Sequence, residues 1–446
     1  MFKTLANAFK IKEIRVKLIF TLLMLVVVRL GSILPIPGVD TDYFSTLISE
    51  TTSEIDAFSF VNAVTGGSFL TMSVFALSIT PYITASIIMQ LLTIAIPALE
   101  EMQKDGEDGR KKIASITRYV TVALSLIESV AMVVGFGNSG LIVNYSSMSG
   151  FEKVMAYVAM VAILTAGSAL LMWIGENITE KGVGNGISIV LLINIISRMP
   201  EDFVTLYESF IKGETALKAT AAVVIIAVVI IGTVILTVIL CDGERRIPVQ
   251  YSKKIQGRRT YGGQSTNIPI KVNTSGVIPV IFAQSIMSFP LIIAQFCDVD
   301  YSTVGGKILL SMSTGNWFNR SNMIYTLGAI LYIALILFFA YFYTSITFNP
   351  VEIADNMKKA GGFIPGIRPG KPTSDYLTKI LNRVVLIGAI GLTIVAMIPV
   401  IFSGLFNASV SFGGTSIIII VGVVLETMRQ IESQMVVRDY KGFLND

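Results

Sequence analysis

The sequence is 446 residues long, with 53% hydrophobic residues, only 14% charged residues and a formal net charge of +4. Soluble domains carry about 25% charged residues, so lipid must cover much of this surface, and the small net charge gives no indication of nucleic-acid binding. The sequence has no histidine and only two cysteines, which removes the usual general base and metal ligand and argues against an enzyme or a metal site.

Ten apolar stretches fit membrane spans, which need roughly 20 largely apolar residues each. In chain order they cover about 18–36, 69–98, 116–137, 154–175, 183–199, 217–240, 275–297, 324–348, 380–403 and 413–428. The first stretch is too long for the apolar region of a signal peptide, and no A-x-A cleavage site follows it, so we expect it to be retained. The pattern predicts an all-α integral membrane protein with ten transmembrane helices.

The basic residues indicate how the spans are oriented. The N-terminus is rich in lysine and arginine, residues 30–103 contain neither, and basic clusters return at 104–112, 245–259 and 358–371. Because short cytoplasmic loops carry the excess of basic residues, both termini are expected in the cytoplasm. Cys241 and Cys297 then end spans on opposite sides of the bilayer, far beyond the roughly 7 Å Cα separation that a disulfide tolerates, so we expect both to be unpaired.

Ten spans divide into an N-terminal half, residues 1–199, and a C-terminal half, residues 200–446. Five spans are an odd number, so the two halves would lie inverted relative to each other, as in many transport proteins. This division rests on the span count, because the sequence shows no convincing internal repeat.

The segment 54–80, which runs into the second span, is moderately apolar but is interrupted by Gly66 and Gly67. Paired glycines allow backbone turns that other residues resist. A short helix, a break and then a span fit this pattern, and irregular backbone at membrane depth must be buried in protein or line a cavity. An ordinary outer loop fits it equally well.

Aliphatic residues stand beside helix breakers or small polar residues in four places. Two pairs, Ile79 with Ile83 and Ile187 with Leu191, have i, i+4 spacing and therefore share a helix face. Ile278 precedes a proline, and Ile419 follows a Gly-Gly-Thr-Ser run. By spacing alone, all of them are interpreted as lipid-facing or core residues.

Two charged residues fall inside spans, Arg29 in the first and Glu128 in the third. A charge at the centre of an inserting helix costs at least about 2.5 kcal/mol, so such residues usually face protein or water. We expect Arg29 to extend its long side chain toward an interface. Glu128 has a shorter side chain, and two interpretations fit it equally well: a polar contact with another span, or no such contact.

Two cytosolic loops, about 242–271 and 349–379, are longer than the 12–15 residues beyond which loops are often functional. The second contains Gly366-Ile-Arg-Pro-Gly-Lys-Pro, which departs from the P-loop pattern after its lysine. No nucleotide site or other cofactor is therefore expected, and any energy source must lie outside the chain. The general excess of basic residues in cytoplasmic loops accounts for the charge of these two loops but not for their length.

Seven segments in chain order carry a family resemblance. They are Arg29-Leu-Gly-Ser-Ile-Leu-Pro-Ile-Pro-Gly-Val-Asp, Ala76-Leu-Ser-Ile-Thr-Pro-Tyr-Ile-Thr-Ala-Ser-Ile-Ile-Met-Gln-Leu-Leu, Trp173-Ile-Gly-Glu-Asn-Ile-Thr-Glu-Lys-Gly-Val-Gly-Asn-Gly-Ile-Ser, Gly263-Gln-Ser-Thr-Asn-Ile-Pro-Ile-Lys-Val-Asn, Phe348-Asn-Pro, Gly366-Ile-Arg-Pro-Gly and Phe412-Gly-Gly-Thr-Ser. The sequence resembles bacterial members of the SecY family from about residue 29 to residue 443.

The resemblance implies a ten-helix clamshell of two halves in the bacterial plasma membrane, with a set of functional residues. The residues that match the pore ring are Ile79, Ile83, Ile187, Leu191, Ile278 and Ile419, with leucine at 191 where isoleucine is expected. The plug would cover about 56–68, including Phe58, Phe60, Val61, Asn62, Val64, Gly66 and Gly67. Spans two and three facing seven and eight would form a lateral gate with Glu128, and the cytosolic loops would bind partners through Arg258, Arg259 and Arg368.

The implied partners are the small subunits SecE and SecG, the SecA ATPase, ribosomes, signal peptides, unfolded polypeptides and membrane lipid. The implied function is a passive channel that passes unfolded secretory polypeptides across the membrane and releases apolar helices into lipid. Without the resemblance, a secondary transporter of small solutes is an equal or better interpretation. A transporter would need several buried polar ligands near the midplane, where the spans offer mainly Glu128.

Overall fold

A computed structural model describes residues 2–52, 62, 64–136, 142–143, 148–212, 216–251, 254–256, 259–261, 265–296, 303–313, 317, 323–406 and 414–442. Within these ranges the chain is mainly helical. The helices are α1 (Phe2–Lys10), α2 (Lys12–Ile33), α3 (Thr41–Thr52), α4 (Thr80–Ala95), α5 (Pro97–Lys104), α6 (Gly106–Phe136), α7 (Gly150–Lys181), α8 (Gly186–Phe210), α9 (Ala216–Asp242), α10 (Ile278–Phe296), α11 (Val304–Ser311), α12 (Thr326–Thr347), α13 (Pro350–Lys359), α14 (Lys371–Phe406) and α15 (Gly414–Gly442).

Each predicted span overlaps one of these helices, and the all-α membrane class is confirmed. Six helices among the described residues are long and apolar enough to cross a membrane, and a seventh span results if α4 and α5 count as one bent span. Helices α8, α10 and α15 overlap the fifth, seventh and tenth predicted spans but fall outside that criterion. The ten-span topology therefore stays a prediction.

The second span differs from the prediction of one continuous span over 69–98. Its helix, α4, begins only at Thr80 and ends at Ala95, where the chain bends by 100° into α5. Proline fits the first turn of a helix but breaks its interior, and Pro81 and Pro97 both lie in first turns. A helix that began at residue 69 would have placed Pro81 in its interior, so residues 66–79 form turns instead.

The helices of each half pack mainly against one another. In the first half α6 contacts α4 and α7, and α7 contacts α8; in the second half α12 contacts α10 and α14, and α9 contacts α15. The halves meet where α8 contacts α15 and where α6 contacts α10. Of the described helices that are long enough to span a membrane, α9 has the highest mean hydropathy. Only 17% of its most apolar 18-residue stretch is buried, so lipid or another protein must cover the rest.

The first of the two loops predicted to be cytosolic contains β-structure that the sequence did not predict. Strand β1 (Glu244–Tyr251) pairs antiparallel with β4 (Ser265–Lys271) and with β5 (Gly362–Phe363) from the second loop, and β2 (Lys254–Gln256) pairs with β3 (Arg259–Tyr261). Ile247 and Val249 alternate with exposed neighbours and are buried beside α14 residues such as Leu377. The two long loops are thus one packed unit.

Candidate pore and plug seat

The residues predicted to form the pore ring lie at or near the starts of four helices. Short polar or proline residues define those starts: Pro81 lies in the first turn of α4, and the Asn185 carboxamide oxygen accepts from the backbone of Ile187 at 3.1 Å to cap α8. The helix starts carry Ile79 and Ile83 on α4, Ile187 and Leu191 on α8, Ile278 on α10, and Ile419 on α15.

Tertiary packing brings these residues together. Ile79, Leu191 and Ile419 are buried in one apolar cluster, and Ile83 and Ile187 pack against it. A cavity of about 500 Å³ adjoins the cluster and is lined by all of the ring residues except Ile79. Ile278 lines this cavity from the second half but is only half-buried. The four helix starts therefore bring the predicted ring residues to one aliphatic cluster and the cavity beside it, and their role as a pore constriction stays a prediction.

The wall of this cavity is polar on the side of the first half. Arg118 of α6 donates from Nε to Oε1 of Glu176 of α7 at 2.9 Å, and Gln90 of α4 lines the same space. The facing wall carries apolar residues of α10, including Ile281 and Phe282. In the predicted topology this cavity would open toward the cytosol, as a vestibule with polar and apolar walls beside the predicted pore ring.

The segment predicted as the plug lies against the same cluster. Val64 is buried in it together with Leu191, and the Gly67 N–H donates to the Asn62 carbonyl at 3.0 Å. Gly66 and Gly67 have φ angles of +68° and +88°, the left-handed region that favours glycine. The expected break at the glycine pair is thus present, while Phe58, Phe60 and Val61 lie outside the described residues.

Two polar side chains hold the main chain of this segment. Arg29 of α2 donates from Nη1 to the Gly66 carbonyl at 3.2 Å, and Asn194 of α8 donates from Nδ2 to the Val64 carbonyl at 3.2 Å and to Ser78 Oγ at 3.1 Å. The Gly66 carbonyl gives Arg29 an acceptor within the protein, a contact that the sequence did not predict, and its expected reach toward an interface stays a prediction. Sequence reasoning missed Asn194, although a lone amide in the apolar run of the fifth span was an available signal.

Arg198 lies one turn beyond Asn194 and completes this group. With the Asn62 amide oxygen turned toward it, the guanidinium donates from Nη2 to that oxygen at 2.9 Å. Glu201 Oε2 lies 3.7 Å from Arg198 Nη1. Asp202 lies past the predicted end of the fifth span, where burial raises its pKa to about 6 despite the opposing effect of Arg198. The Arg198 guanidinium is thus close to the carboxyl group of Asp202, which is a weaker acid than an ordinary aspartate.

Glu128 lies on α6, the helix through which the first half contacts α10. Its side chain is half-buried and makes no hydrogen bond or ion pair within the described ranges. The polar contact between spans at this level is instead made by Ser129 of α6 and Thr165 of α7, whose hydroxyl oxygens are 3.0 Å apart. A role for Glu128 in a lateral gate stays a prediction.

Arg368 lies at an exposed turn between β5 and α14. Gly366 and Gly370 flank it with φ angles of +82° and +100°, and its carbonyl accepts from Thr373 Oγ1 at 2.8 Å. Ile364, just before the turn, is buried in the cluster beneath the sheet. The turn is therefore fixed at its base while the guanidinium is exposed. Arg259 lies on β3, and Arg258 is outside the described residues.

A family comparison identifies the class of protein that this arrangement represents. The SecY family model matches residues 73–428, well over half of the chain. The chain belongs to the SecY family. Curated SecY-family relatives align over 100% of both chains: the protein translocase subunit SecY of Streptomyces coelicolor is 44% identical over 450 residues, and that of Halalkalibacterium halodurans is 42% identical over 451 residues.

Solved structures with low sequence identity show the same fold. A structure described as a protein conducting channel covers 96% of each chain with a TM-score of 0.61 and 18% identity. A SecY structure described in terms of a plug domain that stabilises the closed state has a TM-score of 0.58 at 19% identity, and Sec61 in a canine ribosome-channel complex has 0.57 at 20%, each with 96% coverage of both chains. The chain therefore has the SecY fold along nearly its whole length.

Proposed function

We propose that this chain is the central pore-forming subunit of a Sec protein translocase. The observation that carries this proposal is the aliphatic cluster that helix starts from both halves form beside a cavity, with Val64 of the predicted plug packed in it. Membership of the SecY family and relatives that are protein translocase subunits support the same function. The substrates are unfolded secretory polypeptides, which cross the membrane, and membrane-protein helices, which leave sideways into lipid.

The mechanism follows from the chemistry of the constriction. A narrow aliphatic neck stays closed to ions because water leaves it and side chains pack, yet it offers a sliding polypeptide no specific binding site. Residues such as Leu191 and Ile419 would form that neck, and Val64 would seal it from the plug side. A polypeptide that enters from the vestibule displaces the plug and is surrounded by side chains that do not bind it.

Lateral release requires the halves to separate on one side. Spans three and seven contact each other through α6 and α10. The predicted gate also includes spans two and eight. Glu128 would adjust gate opening from α6 through its polarity. The two moving halves would be spans one to five and spans six to ten. Because α8 continues to Phe210, the boundary between them lies after that residue and not at the predicted 199/200.

The chain has no nucleotide motif, so partners must supply energy and support. We expect SecE and SecG as small subunits, SecA as the ATP-driven motor and ribosomes as alternative partners, in the bacterial plasma membrane with both termini cytoplasmic. The Sec61 neighbour in a ribosome-channel complex supports the ribosome as a partner. The chain itself would conduct without catalysing a reaction.

A small-solute transporter is the alternative that this proposal replaces. Transporter sites usually use unwound helix segments and several buried polar ligands near the midplane. The corresponding place in this chain is a cluster of aliphatic side chains. Family membership also favours a protein-conducting channel.

A translocating polypeptide should contact the constriction directly. We expect a photoreactive amino acid at Ile83, which lines the cavity, to cross-link a signal-bearing polypeptide that is arrested during translocation. The matched control is the same label at Val228 on the outer face of α9, where 64% of the side chain is exposed. Equal cross-linking at both positions, or cross-linking at Val228 alone, would contradict the proposal.

The predicted topology is tested by labelling from each side of the membrane. In a chain whose two cysteines are replaced by serine, Asp42→Cys should react with a membrane-impermeant maleimide from outside and Arg368→Cys from the cytosol. The physical reason is the concentration of basic residues in cytoplasmic loops. Reaction of both positions from the same side would rule out the ten-span arrangement.

A further inference from the structure

One face of α8 changes character along its length. Ile187, Leu191, Asn194 and Arg198 recur at i, i+4, i+7 and i+11, so they lie in one stripe along the helix. The first two residues belong to the aliphatic constriction, and the last two contact the plug segment. The same helix face therefore serves the constriction and the plug in turn.

The contacts to the plug segment are made mainly to its backbone. Arg29 donates to the Gly66 carbonyl and Asn194 to the Val64 carbonyl, and Arg198 donates to the Asn62 side chain. A β-carbon on Gly66 would lie 2.9 Å from both the Cα and the carbonyl oxygen of Asn194, so the close approach requires glycine there. Contacts of this kind fix the path of the plug backbone and depend little on the identity of most plug side chains.

The same region holds most of the buried polar atoms that lack a hydrogen-bond partner. Among the described residues these atoms are Ser68 Oγ, Ser73 Oγ, Asn194 Oδ1, Arg198 Nε and, elsewhere, Asn273 Oδ1. A buried polar atom without a partner raises the free energy of the conformation that contains it. The seated plug is therefore held by specific hydrogen bonds and at the same time destabilised by unsatisfied groups.

We propose that Arg29, Asn194 and Arg198 form a latch that holds the plug closed, the first two through its backbone and Arg198 through the Asn62 side chain. We also propose that the unpaired hydroxyl groups beside the latch keep the closed state only moderately stable, so that a polypeptide can open it. This inference rests on the proposed function for the role of the plug. The latch itself is a property of the closed chain and can be measured without transport.

The test measures exposure of the plug in the complete channel in lipid vesicles. In a chain whose two native cysteines are serine, Thr65→Cys places a thiol at a position that is 1% exposed. We expect Arg29→Met, Asn194→Leu and Arg198→Met each to speed its labelling by an external maleimide about tenfold, the change that loss of one hydrogen bond to a charged or buried group produces. Labelling at the parent rate in all three variants would overturn the proposal.

Two control variants separate a latch from general destabilisation. Arg118→Met removes a guanidinium that pairs with Glu176 away from the plug, and it should leave labelling unchanged. Ser68→Ala removes an unpaired buried hydroxyl and should slow labelling, and an unchanged rate would overturn the part of the proposal that concerns the hydroxyl groups. Faster labelling in either control, or of a cysteine at buried Ala396 in the latch variants, would show that these substitutions loosen the whole fold and would also overturn the proposal.

A translocation assay on the same parent chain separates a failure of the latch from a failure of the proposed function. Absent transport together with latch-dependent labelling would contradict the proposed function and leave the latch intact. Normal transport together with labelling rates that are unchanged in the latch variants would contradict the latch and leave the proposed function intact.

Discussion

Replacing Ile419 with asparagine is expected to make the resting channel conduct ions. Ile419 is 3% exposed and packs with Ile79 and Leu191 in the constriction. An amide in a narrow aliphatic neck attracts water and lowers the barrier that dewetting provides. In planar bilayers, channels that contain Ile419→Asn should show frequent openings without a substrate, whereas parent channels should stay mostly closed.

The control for this experiment keeps the side chain apolar. Ile419→Val removes one methylene group and should preserve the closed state, because water still finds no polar partner in the neck. Ile278→Asn, on the other side of the cavity, should also raise conductance but by less, since Ile278 is only half-buried. Resting conductance that is equal in the parent and in both asparagine variants would contradict the assignment of the ring.

Reversing the charge of Arg368 is expected to lower SecA-driven translocation by about tenfold or more, the scale of a lost charged hydrogen bond. Arg368 is exposed on a turn that buried Ile364 fixes at its base, so the guanidinium is offered with little ordering cost. The planar guanidinium suits carboxylates and phosphates on a motor protein or ribosome. The measurement is ATP-dependent uptake of a signal-bearing precursor by vesicles that contain Arg368→Glu.

A matched variant separates this role from positive-inside charge. Lys371→Glu makes the same charge reversal at the start of α14 and should cause a smaller loss. Arg368→Lys keeps the charge but loses the planar fork, so it should also impair uptake, whereas a purely topological role predicts no effect. All variants should insert and assemble with SecE, and normal uptake by Arg368→Glu would contradict the proposed docking role.

Composition and hydropathy were sufficient to predict the helices but not where they meet. The i, i+4 spacing of Ile187 and Leu191 shows only a shared face, and their meeting with Ile419 depends on packing between α8 and α15. The family resemblance carried that information. Sequence reasoning treated Arg29 as an interfacial residue because nothing local shows that its acceptor, the Gly66 carbonyl, lies 37 residues along the chain.

The cytosolic sheet was missed for a related reason. The alternating burial of Ile247 and Val249 is interrupted in sequence by Pro248 and preceded by charged residues, a pattern typical of a loop. The strand forms because β4 and β5 pair with it and because α14 covers its apolar face. β4 lies close to β1 in sequence, but β5 and the covering residues of α14 lie more than a hundred residues away and cannot be found from local propensity.

Transport by the purified chain tests the central claim most directly. The chain is reconstituted with SecE in lipid vesicles, SecA and ATP are added outside, and a radiolabelled precursor with a signal sequence is followed by protease protection. The account predicts that the precursor becomes protected only when ATP and SecA are both present, and that a precursor without a signal sequence does not. ATP-dependent protection that needs no chain in the vesicles, or its absence when SecE, SecA and the chain are all present and folded, would contradict the identification of this chain as a protein-conducting channel.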